Sequence, residues 1–479
     1  MSYDDTLRWL LTLPDFERTG EFASRPDVAP MRALLAALGD PHCGRPTLHI
    51  AGSKGKGSTG AIAEAALRAA GLRTGFYISP HLHRYTERIR IDGAPLAPDS
   101  FAAALDGVRA AVETVAPRFP GRQFLAFDAL TTAAFLAFRD AGVDVQVVEV
   151  GLGGTLDSTN VFQDGAWGGA DVPRVPHAVR TPDDRPGAPH VVIITPISLE
   201  HTQILGDTIP AIAEQKAGII TRGCTVVVAP QRASALDVIR RVAAERGARV
   251  LEVAQACQAA RVSASADGQR VRIKTPRARY EAALPLAGRH QLDNAATALL
   301  ACEELLAATG RELTPPAVRD GLAGVRWPGR LEVLRRRPLL ILDGAHNGDS
   351  AKRMVAALRE DFGLARPTFV FGTLAGKDIG AMAAAVAPAA DAIFVPRWLH
   401  ARAAGQDAVI DAFRGYETPL WPQPTLADAV EAALSHAGER GAVIACGALA
   451  FVAAVREYLL GIESDILRLA SVNRAANAG

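Results

Sequence analysis

Thr47-Leu-His-Ile-Ala-Gly-Ser-Lys-Gly-Lys56-Gly-Ser58 places an apolar, strand-forming stretch directly before a loop of three glycines and two lysines. A helical pattern follows at once, from Ala61 to Ala70, and Gly71 ends it. Strand, glycine-rich loop and helix N-terminus, in that order, form the layout that holds nucleotide phosphates. Glycine lets backbone N–H groups turn inward around phosphate oxygens, lysine adds a fixed positive charge, and a hydroxyl can reach Mg2+. The strict pattern has Ser or Thr directly after the lysine, whereas Gly57 here separates Lys56 from Ser58. Two readings follow: a phosphate loop of irregular spacing, or an ordinary strand-to-helix turn.

Outward from this loop, short β-branched runs alternate with longer Ala/Leu-rich segments. Strands are expected at Thr47–Ala51, Val143–Val150, Val191–Thr195 and Thr225–Ala229, and helices at Ala61–Ala70, Ala126–Ala141, Ile209–Ile220 and Gln291–Ala308. Such alternation predicts an α/β fold with a mostly parallel sheet covered by helices. The pattern restarts after Trp327-Pro-Gly-Arg330, with strands at Leu339–Leu342, Thr368–Phe371, Ala392–Val395 and Ala442–Ala445 and helices between or after them. A larger N-terminal domain, 1–320, and a smaller one, 321–479, are expected, with a linker in the Gly/Pro cluster near 310–330. Residues 163–190 hold five prolines and four glycines with little apolar periodicity, which predicts a mobile surface insertion. A frayed tail is expected at Asn473–Gly479.

At 479 residues the chain exceeds one typical core, and its 49% apolar and 22% charged composition is that of a soluble globular protein. A net charge of +1 gives no bulk attraction to nucleic acid or to an anionic membrane. Cys43, Cys224, Cys257, Cys302 and Cys446 are scattered, which argues against a zinc site or disulfide framework and predicts a reducing cytoplasm. The start, Met-Ser-Tyr-Asp-Asp, lacks a basic-then-apolar signal, and no stretch approaches the ~20 apolar residues of a membrane span.

Four further stretches carry chemistry. In Val147-Val-Glu149-Val-Gly151 an acid ends a buried strand, where a carboxylate either holds Mg2+ or bonds nearby backbone N–H groups. His201 follows another strand end and is either a ligand or a structural histidine. Lys216, among mostly apolar neighbours, is either solvated or turned into the site with a depressed pKa. Asp343-Gly-Ala-His346-Asn347 ends the first strand of the second domain, with Arg330 just upstream; these residues are either ligand contacts or local caps.

Taken together these motifs resemble the folylpolyglutamate synthase/dihydrofolate synthase branch of the Mur ligase superfamily. The resemblance runs through Ser53-Lys-Gly-Lys-Gly-Ser58, Ser79-Pro-His-Leu82 with Glu87-Arg-Ile89, and Glu149-Val-Gly-Leu-Gly-Gly154. It continues through Leu205-Gly-Asp-Thr208, Lys216-Ala-Gly-Ile-Ile220, Gly288-Arg-His-Gln291 with Asn294, Trp327-Pro-Gly-Arg-Leu-Glu332 and Asp343-Gly-Ala-His-Asn347. It implies an N-terminal P-loop ATPase domain and a C-terminal Rossmann-like domain that binds glutamate.

The implied activity is ATP-dependent ligation of L-glutamate to a folate or dihydropteroate carboxylate through an acyl phosphate. ATP and two Mg2+ ions are the implied cofactors. The expected partners are small molecules only, with no nucleic acid and no membrane, in a monomer. By the resemblance Gly52, Ser53, Lys54, Gly55, Lys56, Gly57 and Ser58 hold the triphosphate, and Asn294, Arg330 and Asp343 hold ATP. Ser58, Ser79, Glu149 and His201 are implied Mg2+ ligands, with Lys56, Glu149 and His201 catalytic and Lys216 a candidate carbamylated lysine. His346 is implied in binding glutamate, and Phe127 and Asp128 in binding the pterin. Departures are Lys54 for the usual Asn, Glu200 for Asp, Thr155 for Arg, and Gly447-Ala-Leu-Ala450 for Gly-Ser-Leu-Tyr. Another Mur-type amino-acid ligase, or an ATP-binding homologue without ligase activity, are the alternatives.

Overall fold

The computed structural model describes residues 2–20, 27–162, 188–465 and 467–468. Its first sheet is built from Thr47–Ala51 (β1), Thr74–Tyr77 (β2), Ile89–Ile91 (β3), Ala94–Pro95 (β4), Val145–Glu149 (β5), His190–Ile194 (β6), Thr225–Val228 (β7) and Arg249–Glu252 (β8). Their order is β4-β3-β2-β5-β1-β6-β7-β8. The core from β2 to β8 is parallel, and β3 and β4 add an antiparallel edge. All five residues of β1 are buried, as its position between β5 and β6 demands of a strand covered on both faces. Register sets Ile50 beside Glu149 and Ala51 beside Ile194, so three strands deliver their following loops to one edge of the sheet.

The helix after β1 runs Lys56–Ala69. It starts five residues before the expected Ala61, because the glycine loop itself passes straight into the first turn. Gly60 lets it approach Phe76, since a Cβ there would lie 2.7 Å from that ring. On its other side packs the helix His290–Ala308, with Cys302 against Ala63.

One whole sheet lies outside the strands named from the sequence. Gln258–Ser265 (β9), Gly268–Lys274 (β10) and Arg279–Leu284 (β11) form an antiparallel sheet whose Val271, Ile273, Tyr280 and Ala282 join the core around Leu48 and Ile62. The expected linker near 310–330 contains a packed helix, Pro315–Ala323. Its prolines occupy the first turn behind the Thr314 cap, where no N–H partner is lost. Its Gly321 lies against the Lys56–Ala69 helix, where a Cβ would meet Ala65 O at 2.7 Å. These residues were therefore packing signals rather than linker signals. The insertion expected at 163–190 falls mostly outside the described residues, but its last residue, His190, begins β6. The tail at 473–479 also lies outside them.

The second sheet comprises Glu332–Arg336 (β12), Leu339–Asp343 (β13), Thr368–Phe371 (β14), Ile393–Pro396 (β15), Leu420–Gln423 (β16) and Ala442–Cys446 (β17). The order is β12-β13-β17-β14-β15-β16, with only β12 antiparallel. The loops after β13, β17 and β14 thus emerge side by side.

Candidate active site

The phosphate-type loop sits at the middle of the first sheet and is shaped by what each glycine must avoid. Gly52 has φ 147°, and a Cβ there would lie 1.9 Å from Thr195 Oγ1. Gly55 has φ 84°, and its Cβ would press 2.5 Å from Asn294 Oδ1. Gly57 needs no left-handed backbone; a Cβ there would strike Trp327 at 2.6 Å. The irregular spacing between Lys56 and Ser58 is therefore matched by an indole ring that fills the space a side chain would need. Asn294 also accepts the loop's close approach while donating to Gln291 Oε1 at 2.8 Å.

Lys56 begins the helix, and its Nζ lies 3.8 Å from Glu149 Oε1. Glu149 is buried, and its carboxylate also accepts from the Ser79 N–H. Burial pushes its pKa up to about 7 in spite of Lys56 and Arg330, so the carboxylate is under-neutralised. Ser58 is buried in the first turns of the same helix. Hydroxyl and carboxylate oxygens at a charge-deficient spot suit a hard cation such as Mg2+. Among the described residues no group of three or more His, Cys, Asp or Glu is arranged to hold a metal ion. Mg2+ here would accordingly take most of its ligands from phosphates and water, as that ion commonly does. His201 stands at the rim, exposed and with φ 46°.

Lys216 is buried and donates to Gly52 O and Glu200 Oε1, each at 2.9 Å. Burial lowers its pKa while Glu200 works against that shift. Burial would raise the Glu200 carboxyl, but Lys216, Lys56 and Lys54 outweigh it and hold it at about 2. In this arrangement Lys216 fixes the loop through Gly52 O and holds Glu200 beside it.

Across from the loop stands the second sheet. His346 Nδ1 lies 3.0 Å from Gly344 O and must donate to it, which leaves Nε2 as an acceptor. Lys54 Nζ reaches that Nε2 at 3.4 Å. Burial, with Lys54 and Lys377 nearby, pushes the imidazole pKa well down and keeps the ring neutral. Arg330 lies over Gly344, where a Cβ would sit 2.4 Å from its guanidinium. Asp343 has no free oxygen: Oδ2 accepts from Leu331 N and Oδ1 from Ala345 N, both at 2.9 Å. Through these bonds it shapes the turn that carries Arg330.

Phe127 lies over Gly151, where a Cβ would meet its ring at 2.5 Å, close to the end of β5. Asp128 is turned inward, with its oxygens accepting from Leu125 N at 2.9 Å and Ser158 Oγ at 2.5 Å. Its carboxylate holds the start of the Ala126–Asp140 helix.

Lys377 is a residue the sequence reading passed over. It follows β14 and interacts electrostatically with Glu200, His201, His346 and Lys54. Its signal was present: Phe371-Gly-Thr-Leu-Ala-Gly-Lys377 again takes a strand into glycines and a lysine. Trp327 was read only as part of a motif, and nothing local in the sequence points it at Gly57.

Two stretches match family models: 184–302 the Mur ligase middle domain, and 329–449 the Mur ligase glutamate ligase domain. The folylpolyglutamate synthase of Lacticaseibacillus casei is 32% identical over 97% of this chain and 100% of its own length. Mycobacterium tuberculosis folylpolyglutamate synthase, solved with ADP, superposes with a TM-score of 0.83 at 30% identity, covering 96% of this chain and 99% of that one. An FPGS complex with AMPPCP and folate superposes at 0.79 with 31% identity, covering 96% and 100%. Glycine loop, paired lysines, Glu149 and His346 thus lie in a fold shared along the whole chain, and the chain belongs to the folylpolyglutamate synthase/dihydrofolate synthase branch of the Mur ligase family, the ATP-dependent ligases.

Proposed function

We propose that this protein joins L-glutamate to the carboxylate of a folate or dihydropteroate at the expense of ATP. The observation that carries the proposal is the meeting of two loops. Lys56 belongs to a glycine loop built for phosphates, while Lys54, two residues away, touches His346 on the other sheet at 3.4 Å. One cleft thus offers a phosphate seat and a second polar wall. Relatives of matching length, among them a complex with folate and AMPPCP, support the substrate class.

The chemistry has two steps. A pterin carboxylate oxygen attacks the γ-phosphorus, and the bond to ADP breaks. The amine nitrogen of glutamate, having lost a proton, then attacks the acyl carbon, and phosphate leaves. Both partners of the first step are anions, so Lys56 and the loop amides lower their repulsion. Lys216 keeps the loop in place through Gly52 O and keeps Glu200 neutralised. Mg2+, held by Ser58 and Glu149 with Ser79 and His201 at the margin, would add charge stabilisation at the phosphates. A second ion is part of the same proposal, as is a monomer working in the cytoplasm. Among the described residues no helix is long and apolar enough to cross a membrane. We take 1–320 as the ATP- and pterin-binding unit and 321–479 as the unit facing glutamate.

The test is phosphate release from ATP with L-glutamate and, in turn, dihydropteroate, tetrahydrofolate and a cell-wall precursor carboxylate. Glutamate-dependent release with a pterin substrate is expected. No such release with either pterin overturns the proposal, and release only with the third acceptor points to a different ligase.

A further inference from the structure

Two lysines leave the same loop in different directions. Lys56 Nζ stays with the first sheet, 3.8 Å from Glu149 Oε1. Lys54 Nζ crosses to the second, 3.4 Å from His346 Nε2. His346 cannot turn to meet it differently, because its Nδ1–H is used by Gly344 O at 3.0 Å. An ammonium has three N–H groups, and one contact to a neutral ring leaves most of its donor capacity unused. Among the described residues no Asp or Glu oxygen is within salt-bridge distance of Lys54. The acid with the strongest pull on it, Glu200, is already bonded to Lys216 at 2.9 Å.

A half-buried cation without an anion is costly unless a ligand supplies one. Burial accordingly brings the Lys54 amine down to about 8. A second cation, Lys377 in the loop after β14, acts electrostatically on both Lys54 and His346. The third wall is the loop after β17. Gly447 N donates to Ala345 O at 3.1 Å and Thr373 Oγ1 donates to Gly447 O at 2.8 Å, which locks the three loops side by side. Ala448 there offers only a methyl group. An anion entering this corner therefore finds lysine amines rather than a hydroxyl. Lys56 remains with Glu149 at the phosphate-type loop, and Lys54 alone of the two reaches the second sheet.

We infer that Lys54, with Lys377 beside it, binds the side-chain carboxylate of the incoming amino acid and makes the enzyme selective for a dicarboxylic substrate. The inference rests on the proposed ligase function. It makes Lys54 a specificity residue, although its neighbours in the loop serve ATP.

The experiment compares L-glutamate with L-glutamine, which swaps carboxylate for carboxamide at nearly constant shape. ATP-dependent phosphate release is measured with tetrahydrofolate for the wild type, Lys54→Met and Lys54→Arg. For Lys54→Met, KM for glutamate is expected to rise about 10- to 100-fold, the loss of one charged hydrogen bond, while KM for ATP stays within about two-fold. The glutamate-to-glutamine ratio of kcat/KM should collapse by a similar factor, and Lys54→Arg should keep most of it. A Met variant with an unchanged ratio, or with KM raised for ATP instead of glutamate, overturns the assignment. Lys54→Arg covers the case in which the Met variant fails to fold: an Arg variant that is folded and active but has lost the preference also overturns it. Absence of glutamate-dependent release in the wild type sinks the ligase reading itself, a separate result.

Discussion

The loops after β1 and after β13 both leave five-residue strands, one buried throughout in the middle of its sheet and one buried at its three central residues beside the antiparallel edge strand, yet they use their polar groups in opposite ways. After β1, Ser53 N and Lys54 N donate to Pro196 O at 3.0 and 3.1 Å, Gly52 and Gly55 in left-handed backbone keep the loop clear of side-chain cover, and two lysines add charge. After β13, the loop satisfies itself. Asp343 takes two backbone N–H groups, Asn347 caps the following helix at Ser350 N, and only the His346 edge and Arg330 are left to face outward. Topology alone therefore does not make a phosphate site. A carboxylate at the strand end, as Asp343 is, ties two backbone N–H groups to itself, whereas residues 52–58 carry no carboxylate and leave their lysines to meet an anion. The pairing of one open and one closed loop gives the cleft an anion-holding side and a rigid, positioning side.

The comparison can be broken most severely at Gly52. Its Ala variant would set a Cβ 1.9 Å from Thr195 Oγ1 and 2.8 Å from Thr195 O at φ 147°. A loss of more than about 4 kcal/mol, or no soluble folded protein, is expected in a urea melt. Near-native stability would mean that the loop backbone is not held as described. Next is Lys56→Met, which keeps the loop but removes its inward charge; turnover should fall on the order of 10^3-fold with the urea midpoint nearly unchanged. A drop below ten-fold would move the phosphate contact to another residue.

On the closed side, Asp343→Asn replaces an acceptor oxygen with a donor that meets a backbone N–H. A cost of about 1–3 kcal/mol is expected by denaturant melt, with a smaller effect on rate than Lys56→Met. If rate collapses while stability holds, Asp343 touches a substrate after all.

A last effect, seen only as pH falls, separates the strands themselves. β13 has no titratable residue before Asp343, whereas β1 buries His49, which stacks on His190 at 5.7 Å beside Phe162 and His42. Burial lowers the pKa values of His42 and His190 to about 4 from 6.5 in the open chain. The unfolded chain then binds more protons between these values, so stability is full above pH 6.5 and declines as pH falls towards 4. At pH 5 the loss should be about 2 kcal/mol per histidine. A urea midpoint independent of pH from 7 to 5, or unaltered in its pH slope by His190→Gln, would contradict the burial.

Much of this was legible in one dimension. The strands after which Glu149, His346 and the glycine loop appear were visible as apolar runs ending in polar residues, because a doubly covered parallel strand must be apolar throughout. The three-stranded sheet escaped notice although Arg279–Leu284 alternates strictly, exposed then buried. Its neighbours are charged, and a sheet covered on one face hides in composition. Pro315, Pro316 and Gly321 were misleading because a helix start, a close helix contact and a linker draw on the same residues. Asp128 shows the limit of one dimension: its cap on the Ala126–Asp140 helix depends on partners that the sequence does not name.

By itself the sequence determined the α/β class, the glycine loop and the residues able to meet phosphate, since periodicity and backbone freedom are local properties. Tertiary structure decided which of them face one another. Trp327 explains Gly57, Glu200 occupies Lys216, and His346 draws Lys54 away from its own loop, all by contacts between residues at least 16 positions apart. Burial and charge pairing act through space, and they turned two lysines of one loop towards different chemical tasks.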